Sequence, residues 1–399
     1  MDLASATRGL GRGLNRLGAL AVRRGIPTAW LGYRWVQTET VDDYCSRQPA
    51  SRPIPREVIH AECVEQNPLP RNVQTRSQLP NDRGWWGYSF YDVPARRSGE
   101  TWLATLPDCT IVPYLDPNGE FWVGILNADH RALSLREFHF RSGHARVHRA
   151  SKQRPVLERA TWITERVFDN YSHWFTAHLP KLLLLQARDA LGQVVLPASR
   201  PRFVDDSMRL AGIDPDAFAT FDPTRSLKVR ELTLLGTDRF RPELLRLPRE
   251  RYPALTDRAP FRRVFVSRKH AARRRLINET AIWPLLRREG FESVVMEKLS
   301  FVEQVRLMQE TAVLLAPHGA GLTNAMFCPT GTQIVELADL GFPNPNFYAV
   351  SAAMGHDYWL LPARALGDGH PLHKDLWIDP ATLASVLPRL SAQEPCYTA

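Results

Sequence analysis

The 399-residue chain lacks any apolar run of the roughly 20 residues that a membrane-spanning helix needs. Its first residues also lack the compact apolar segment of a secretory signal peptide. The five cysteines form no C-x-x-C pair and are odd in number, which argues against a disulfide framework or a zinc site. We therefore expect a cytoplasmic protein with reduced thiols and neither a metal ion nor another cofactor.

Several catalytic signatures are absent as well. The sequence contains no Walker A loop, no G-x-G-x-x-G dinucleotide fingerprint and no G-x-S-x-G nucleophile elbow. One Asp-x-Asp match, Asp214-Pro-Asp216, follows a glycine and is more typical of a turn than of a metal site. His139, His144 and His148 lie among arginines without an acidic partner, and we expect them on a surface strand or loop.

Positive charge, in contrast, is abundant. The formal net charge is +9, and residues 1–36 hold six arginines and one aspartate. In this basic tail, residues 1–40, the leucines recur at helical spacing and the arginines every four residues on another face. This pattern predicts an amphipathic helix over residues 1–24 that could lie on the inner face of an anionic membrane. The glycines between them leave a disordered tail equally open.

From about residue 160 the chain alternates between apolar runs of strand length and segments of helical period. This alternation predicts an α/β fold with parallel sheets. Turn residues Asp116–Gly119 between two apolar runs predict a hairpin. The proline- and arginine-rich segment 246–260 is the natural linker between an N-terminal domain, residues 41–245, and a C-terminal domain, residues 261–399.

The most informative segment is Ala316-Pro-His-Gly-Ala-Gly-Leu-Thr-Asn324, which directly follows an apolar strand pattern. A glycine-rich turn between a strand and a helix points free backbone N–H groups at an anion, and small residues let a diphosphate approach. Glu336 ends the next apolar run. A diphosphate cradle with a carboxylate on the neighbouring strand is what a nucleotide-sugar site needs.

Two further segments carry candidate site residues. Strand-like Val264–Ser267 leads into Arg268 and a run of arginines that includes Arg274, an arrangement that can present guanidinium groups to phosphate oxygens. A solvated basic loop is the alternative. Asn170 and His173 begin a helical pattern that Pro180 should kink, and His173 could accept a proton. A structural histidine near a helix start is the alternative there.

Together, the Asn170–Trp174 segment, the arginine-rich block after Ser267 and the Ala316–Asn324 block with Glu336 resemble glycosyltransferase family 61 in order and spacing. The resemblance covers about residues 100–365. It implies a GT-B-like fold of two Rossmann-like domains with parallel sheets that face each other across a cleft. It also implies an inverting transferase that generally needs no metal ion. The lack of an anchor favours a bacterial enzyme of capsular or surface polysaccharide biosynthesis.

The resemblance also implies roles for individual residues. Arg268 and Arg274 would neutralise the diphosphate of a UDP-sugar donor, and Asn324 would hold the loop. Glu336 would accept ribose hydroxyls. Asn170 and His173 would face the sugar and the glycan or lipid-linked acceptor from the N-terminal domain, with His173 as the base. The residues expected to line the diphosphate are His318, Gly319, Ala320 and Gly321.

Two other functions stay open on the sequence. A basic, non-catalytic binding protein for nucleic acid or an anionic polymer would explain the net charge, but no RNA-binding or helix-turn-helix signature is present. A catalytically inactive scaffold is the other possibility, and the retention of Arg268, His318 and Glu336 argues against it.

Overall fold

The structure is a computed structural model that describes residues 36–136, 138–151 and 153–390, together with Leu17 and Leu20. The predicted tail helix over residues 1–24 therefore lies outside the described residues, apart from the exposed Leu17 and Leu20. In the described part of the chain, no helix is both long enough and apolar enough to span a bilayer.

The N-terminal half builds a nine-stranded sheet and a separate two-stranded pair. The strands of the large sheet are Thr38–Thr40 (β1), Arg56–His60 (β2), Thr101–Leu115 (β5), Phe121–Leu126 (β6), Ala132–Ser134 (β7), Val156–Trp162 (β8), Val194–Pro197 (β9), Ala219–Phe221 (β10) and Leu227–Gly236 (β11). The two-stranded pair consists of Cys63–Gln66 (β3) and Ala95–Ser98 (β4). The order in the large sheet is β1-β7-β6-β5-β11-β8-β9-β10, with β2 also paired to β5.

The prediction of a parallel N-terminal sheet is wrong for half of this sheet. Strands β11, β8, β9 and β10 are parallel, but β5 runs antiparallel to both β11 and β6. The antiparallel pairing of β5 with β6 has a local cause. The Asp116–Gly119 turn folds the chain back on itself, as the sequence predicted, and a hairpin is necessarily antiparallel.

The C-terminal half builds a six-stranded sheet in the order β13-β12-β14-β15-β16-β17. Its strands are Arg262–Val266 (β12), Phe291–Val294 (β13), Thr311–Pro317 (β14), Gln333–Asp339 (β15), Asp357–Leu366 (β16) and Asp375–Trp377 (β17). The first five are parallel, as predicted, and β17 is antiparallel to β16. The order of the parallel strands reverses between β12 and β14, and open α/β sheets bind ligands at such a switch point.

Helices connect these strands and cover the sheets. In the N-terminal half they are Val41–Ser46 (α1), Ser142–Ala150 (α2), Tyr171–His173 (α3), Leu179–Gln186 (α4), Arg202–Leu210 (α5), Pro242–Leu245 (α6) and Leu247–Arg251 (α7). In the C-terminal half they are Glu279–Arg288 (α8), Phe301–Gln309 (α9), Asn346–Met354 (α10) and Pro380–Val386 (α11). His144 and His148 lie buried in α2, so their predicted placement on a surface strand or loop is wrong.

Successive residues of the C-terminal strands enter two different cores. Leu314 of β14 packs in a core that continues into the N-terminal half, whereas Leu315 packs against α8 and α11 on the other face. In the shared core, the ring of Phe175 stacks on that of Phe301, with ring centroids 5.3 Å apart. Tyr252, in the predicted linker segment, is buried in the same core. The two halves therefore meet through packed apolar side chains.

Candidate functional site

The switch point of the C-terminal sheet brings two predicted segments together. Arg268 follows the carboxyl end of β12, and Gly319 follows the carboxyl end of β14. A Cβ atom at Gly319 would lie 2.3 Å from Nη1 of Arg268, and one at Gly321 would lie 2.9 Å from Cγ1 of Val266. Only glycine leaves room for the guanidinium group of Arg268 against the loop.

Arg268 is held by the backbone and not by an acid. Its Nε donates to the carbonyl of Arg274 and its Nη2 to the carbonyl of Arg273, each over 2.9 Å. Burial lowers the pKa of Arg268 below its ordinary value, and Glu297 and Asp375 oppose that shift only from a distance. Among the described residues, Arg268 has no ion pair with a carboxylate, so its charge is not balanced locally.

Arg274 adds a second cation in a strained backbone conformation. Its φ of 56° lies in the left-handed region that residues with a side chain seldom adopt. Its Nε is buried and has no hydrogen-bond partner within the described ranges of the chain. Burial, and then the charge of Arg268, lower the pKa of Arg274 to about 10, while Glu336 opposes that shift. Two neighbouring guanidinium groups that repel each other, in a strained loop, form a site suited to an anion.

The next residue of the site is His318, whose ring is oriented by Glu336. Its Nδ1 is hydrogen-bonded to Glu336, and its backbone N–H donates to the carbonyl of Leu337 over 2.9 Å. The second carboxylate oxygen of Glu336 accepts a hydrogen bond of 2.5 Å from the hydroxyl of Tyr358. Nε2 is therefore the His318 nitrogen that is left for a ligand.

The predicted contact of Glu336 with ribose hydroxyls does not agree with this geometry. Glu336 is fully buried and both of its oxygens are engaged by protein groups. The reason is that its side chain lies on the same face of the sheet as Tyr358 of the neighbouring strand β16, whose hydroxyl meets it. Glu336 is thus a positioning residue for His318.

A cleft opens beside His318, at the carboxyl ends of β14 and β15. Arg274 and Lys374 give it cationic walls, Asp339 an acidic one and Phe342 an apolar one. Sequence reasoning missed Lys374 and Phe342, which lie in loops after the last recognised motif residue, Glu336. Asn344 also lines the cleft and is buried. The cleft is therefore mixed in character, cationic toward His318 and apolar along Phe342.

Asn324 connects the glycine-rich loop to the N-terminal half. It lies in the 3₁₀ helix Ala320–Phe327, and its Nδ2 donates to the carbonyl of Gly321 over 3.2 Å. Its Oδ1 accepts a hydrogen bond of 2.6 Å from the hydroxyl of Tyr171, the first residue of α3. The segment that carries His173 and the loop that carries His318 are thus joined by one side-chain bridge.

Asn170 and His173 begin the kinked helix on the N-terminal side. The side chain of Asn170 caps α3 by accepting from the backbone N–H of His173 over 3.3 Å. A π-helical turn, Trp174–His178, separates α3 from α4, and Pro180 lies at the start of α4. Such turns often occur at functional sites, and this one leaves the carbonyl of His173 bonded to Nδ1 of His178 over 3.0 Å.

The His173 ring is partly exposed and electrically neutral at pH 7. Burial holds its pKa well below the ordinary value, and Arg239, His178 and Arg136 act in the same direction. A neutral imidazole has a free lone pair, so His173 can accept a proton. The same surroundings make it a weak base in the unliganded protein.

Beneath this helix lies a buried charge cluster that sequence reasoning missed. Glu165 is paired with both Lys181 and Arg136, and its backbone N–H donates to Nε2 of His178 over 3.0 Å. Burial opposes ionisation of Glu165, but Arg136, Lys181 and His178 outweigh it and lower the pKa of Glu165. A lysine in the leucine-rich stretch Leu179–Gln186 was the available sequence signal.

In the described part of the chain, no group of three His, Cys, Asp or Glu side chains is arranged to hold a metal ion. At the Asp-x-Asp match, the Asp214 carboxylate accepts from the backbone N–H of Asp216 over 3.0 Å and caps a 3₁₀ turn. That segment is a turn, as the sequence predicted.

Residues 171–335 match the model of the family Glycosyltransferase 61. This range contains the His173 segment, the arginines after β12 and the glycine-rich loop, and it stops one residue before Glu336. The chain therefore contains a glycosyltransferase 61 domain, in agreement with the resemblance of its motifs.

Three curated proteins give similarity over shorter ranges. The chain is 31% identical over 143 residues to the β-1,2-xylosyltransferase XAX1 of Oryza sativa subsp. japonica, covering 35% of this chain and 25% of that protein. It is 31% identical over 64 residues to a β-1,2-xylosyltransferase of Arabidopsis thaliana, covering 16% and 12%. It is 30% identical over 100 residues to the EGF domain-specific O-linked N-acetylglucosamine transferase of Drosophila melanogaster, covering 25% and 19%. The alignments span a quarter or less of each relative.

Proposed function

Because residues 171–335 form a glycosyltransferase 61 domain, we propose that this protein transfers a sugar from a nucleotide-activated donor to a glycan acceptor. The observation that carries the proposal is the pair of guanidinium groups at the switch point, Arg268 and Arg274, which lack a carboxylate partner among the described residues. Positive charge that is partly desolvated and not balanced is suited to a diphosphate.

The donor diphosphate, in this proposal, lies against Gly319 between Arg268 and His318. The room at Gly319 holds the guanidinium group of Arg268, and the N–H groups at the start of the Ala320–Phe327 helix would face the same anion. Nε2 of His318, oriented by Glu336, would lie against it as well. The two guanidinium groups stabilise the negative charge that develops on the departing nucleoside diphosphate.

Inverting transfer also needs a base that deprotonates the acceptor hydroxyl, and we assign this role to His173. Its imidazole is neutral at pH 7 and partly exposed, and it lies on the helix whose first residue reaches Asn324. A diphosphate bound nearby would offset the charges of Arg239 and Arg136, and would thereby raise the basicity of His173 when the donor is present.

Several finer features belong to the same proposal. They are a GT-B arrangement with the donor on the C-terminal sheet and the acceptor on the N-terminal side, independence of metal ions, and a role in bacterial surface polysaccharide biosynthesis. The names of the relatives mention xylose and N-acetylglucosamine, and two different sugars do not identify the donor of this chain. As the donor we propose a UDP-sugar.

A thermal-shift screen of nucleotide sugars, followed by turnover assays on the hits, tests the proposal. The panel should include UDP-xylose, UDP-N-acetylglucosamine, UDP-glucose and GDP-mannose. A ligand at 100 times its Kd adds about 2.7 kcal/mol to the free energy of unfolding, which is readily measured. Salt-sensitive binding of single-stranded nucleic acid without any response to nucleotide sugars would favour a basic binding protein instead.

A further inference from the structure

An exposed aromatic cluster adjoins the cleft. The ring of Trp85 meets Phe342 edge-on, with centroids 5.0 Å apart, and meets His370 at 5.4 Å. The residue Trp85 is 56% exposed, so much of its ring is open to a ligand. Neither the family motifs nor the matched range 171–335 includes any of these three residues.

The segment that carries Trp85 is anchored to the C-terminal half. Trp86 also packs against Phe342, with ring centroids 5.7 Å apart, and the hydroxyl of Tyr88 donates to Oδ1 of Asn346 over 2.6 Å. Asn346 begins α10. Because the residues that follow Trp85 are fixed in this way and its own ring packs against Phe342 and His370, the ring is held in place before a ligand arrives, which reduces the entropy lost on binding.

The cluster continues the apolar wall of the same cleft that His318 and Arg274 line. Phe342 contributes to that wall, together with Pro371 and Leu372. A ligand that fills the cleft therefore needs an anionic part and a flat apolar part within one molecule.

We propose that the exposed ring of Trp85, backed by the buried Phe342, forms the platform on which the nucleobase of the donor stacks. This inference rests on the proposed function and assigns the nucleobase to a segment outside the recognised domain. Aromatic side chains stack on bases of any sequence because every base has a π face. A sugar ring of the acceptor is the competing occupant. The nucleobase fits better, because Phe342 lines the same cleft as His318 and Arg274, and a nucleotide supplies both an anionic part and a flat ring.

Binding of UDP, GDP and inorganic pyrophosphate to the full chain separates the base from the diphosphate. Trp85→Ala should weaken UDP and GDP binding about tenfold, within the range for loss of one base stack, and leave pyrophosphate binding unchanged. Trp85→Phe should retain most of the affinity. Phe261→Ala is the matched control, since Phe261 is 52% exposed and lies at the amino end of β12, away from the cleft.

The other possible outcomes contradict the proposed role of Trp85, and each does so in a way that can be distinguished. Unchanged UDP and GDP affinity in Trp85→Ala removes Trp85 from the donor site. An accompanying rise in the KM of the acceptor would assign it to the acceptor instead. Equal weakening of pyrophosphate would mean that Trp85 acts through the diphosphate loop. Failure of the wild-type protein to bind any of the three probes would refute the proposed function itself, and the platform with it.

Discussion

The two halves of the molecule each place a cluster of charged side chains after a parallel strand, and the clusters differ in how their charges are paired. After β8, the buried carboxylate of Glu165 holds both Arg136 and Lys181. After β12, Arg268 and Arg274 lie side by side with no carboxylate partner among the described residues.

That difference separates a positioning role from a binding role. Ion pairs that are complete within the protein fix the helix that carries His173, and they have little left to offer a ligand. The guanidinium group of Arg268, which has only backbone carbonyls as hydrogen-bond partners among the described residues, keeps its attraction for an anion from outside. The state of pairing is thus more informative than the number of charges, because basic side chains are abundant throughout this chain.

The largest expected effect concerns turnover on the N-terminal side. His173→Ala should lower kcat by about 10²–10⁴, the usual contribution of a general base, while the Kd of the donor stays nearly unchanged. Steady-state kinetics and donor binding on the same preparation measure both. A folded variant with near-normal kcat would remove His173 from catalysis. A lower melting temperature with both constants shifted together would mean that His173 only supports the helix start.

The next effect concerns stability. Glu165→Gln leaves Arg136 and Lys181 without their shared carboxylate, and breaking a buried pair in this way costs about 3–5 kcal/mol. Lys181→Met should cost less, since the pair between Arg136 and Glu165 remains. Urea unfolding measures both. In the other cluster, Arg274→Ala removes a repelled charge and should leave the free energy of unfolding nearly unchanged. An equal loss of unfolding free energy in both clusters would contradict the proposed difference in charge pairing between them.

A further expected effect is a loss of stability in acid. Burial lowers the pKa of four histidines to about 4: His144, His148, His178 and His356. Because the unfolded chain binds protons at these positions below about pH 6.5, the free energy of unfolding should fall between about pH 6.5 and 4, by up to about 1.4 kcal/mol per pH unit for each histidine.

Denaturant titrations at several pH values check this. His356→Gln should flatten the dependence, and His139→Gln, at an exposed site, should not. A melting temperature that is constant down to pH 4 would show that these histidines are not held neutral in the folded protein.

The smallest expected effect is that of chelation. Arg268 and Arg274 supply fixed positive charge at the leaving group, so a metal ion is not required there. Transfer should continue at the same rate after EDTA treatment. Loss of activity that manganese or magnesium restores would show that the arginines are not sufficient.

The parallel strands of the C-terminal sheet could be predicted because they are buried on both faces and read as short apolar runs, such as Val313–Ala316. The N-terminal sheet was harder. The hairpin of β5 and β6 was predicted from its turn residues, but β5 also pairs with β11, more than 100 residues later in the sequence. No local pattern specifies that long-range antiparallel pairing, so the mixed character of the sheet was missed.

The site shows the same limit. Arg268 and His318 were predicted because their motifs are continuous in sequence. The burial of Glu336 depends on Tyr358 from the next strand, and the platform depends on Trp85, more than 200 residues before Phe342 in the sequence. These contacts are set by tertiary packing. The tandem Trp85-Trp86 in a polar segment was the only sequence signal of the platform.

The most direct test of the central claim is the Kd of UDP and GDP for the wild-type protein, Arg268→Ala and Arg262→Ala. Arg262 lies at the other end of β12 and is paired with Glu292 and Glu310, so it is the matched, paired control. We predict that Arg268→Ala weakens binding by about 1.5–3 kcal/mol, the range for hydrogen bonds to charged groups, and that Arg262→Ala does not. Unchanged binding in a folded Arg268→Ala protein would contradict the account.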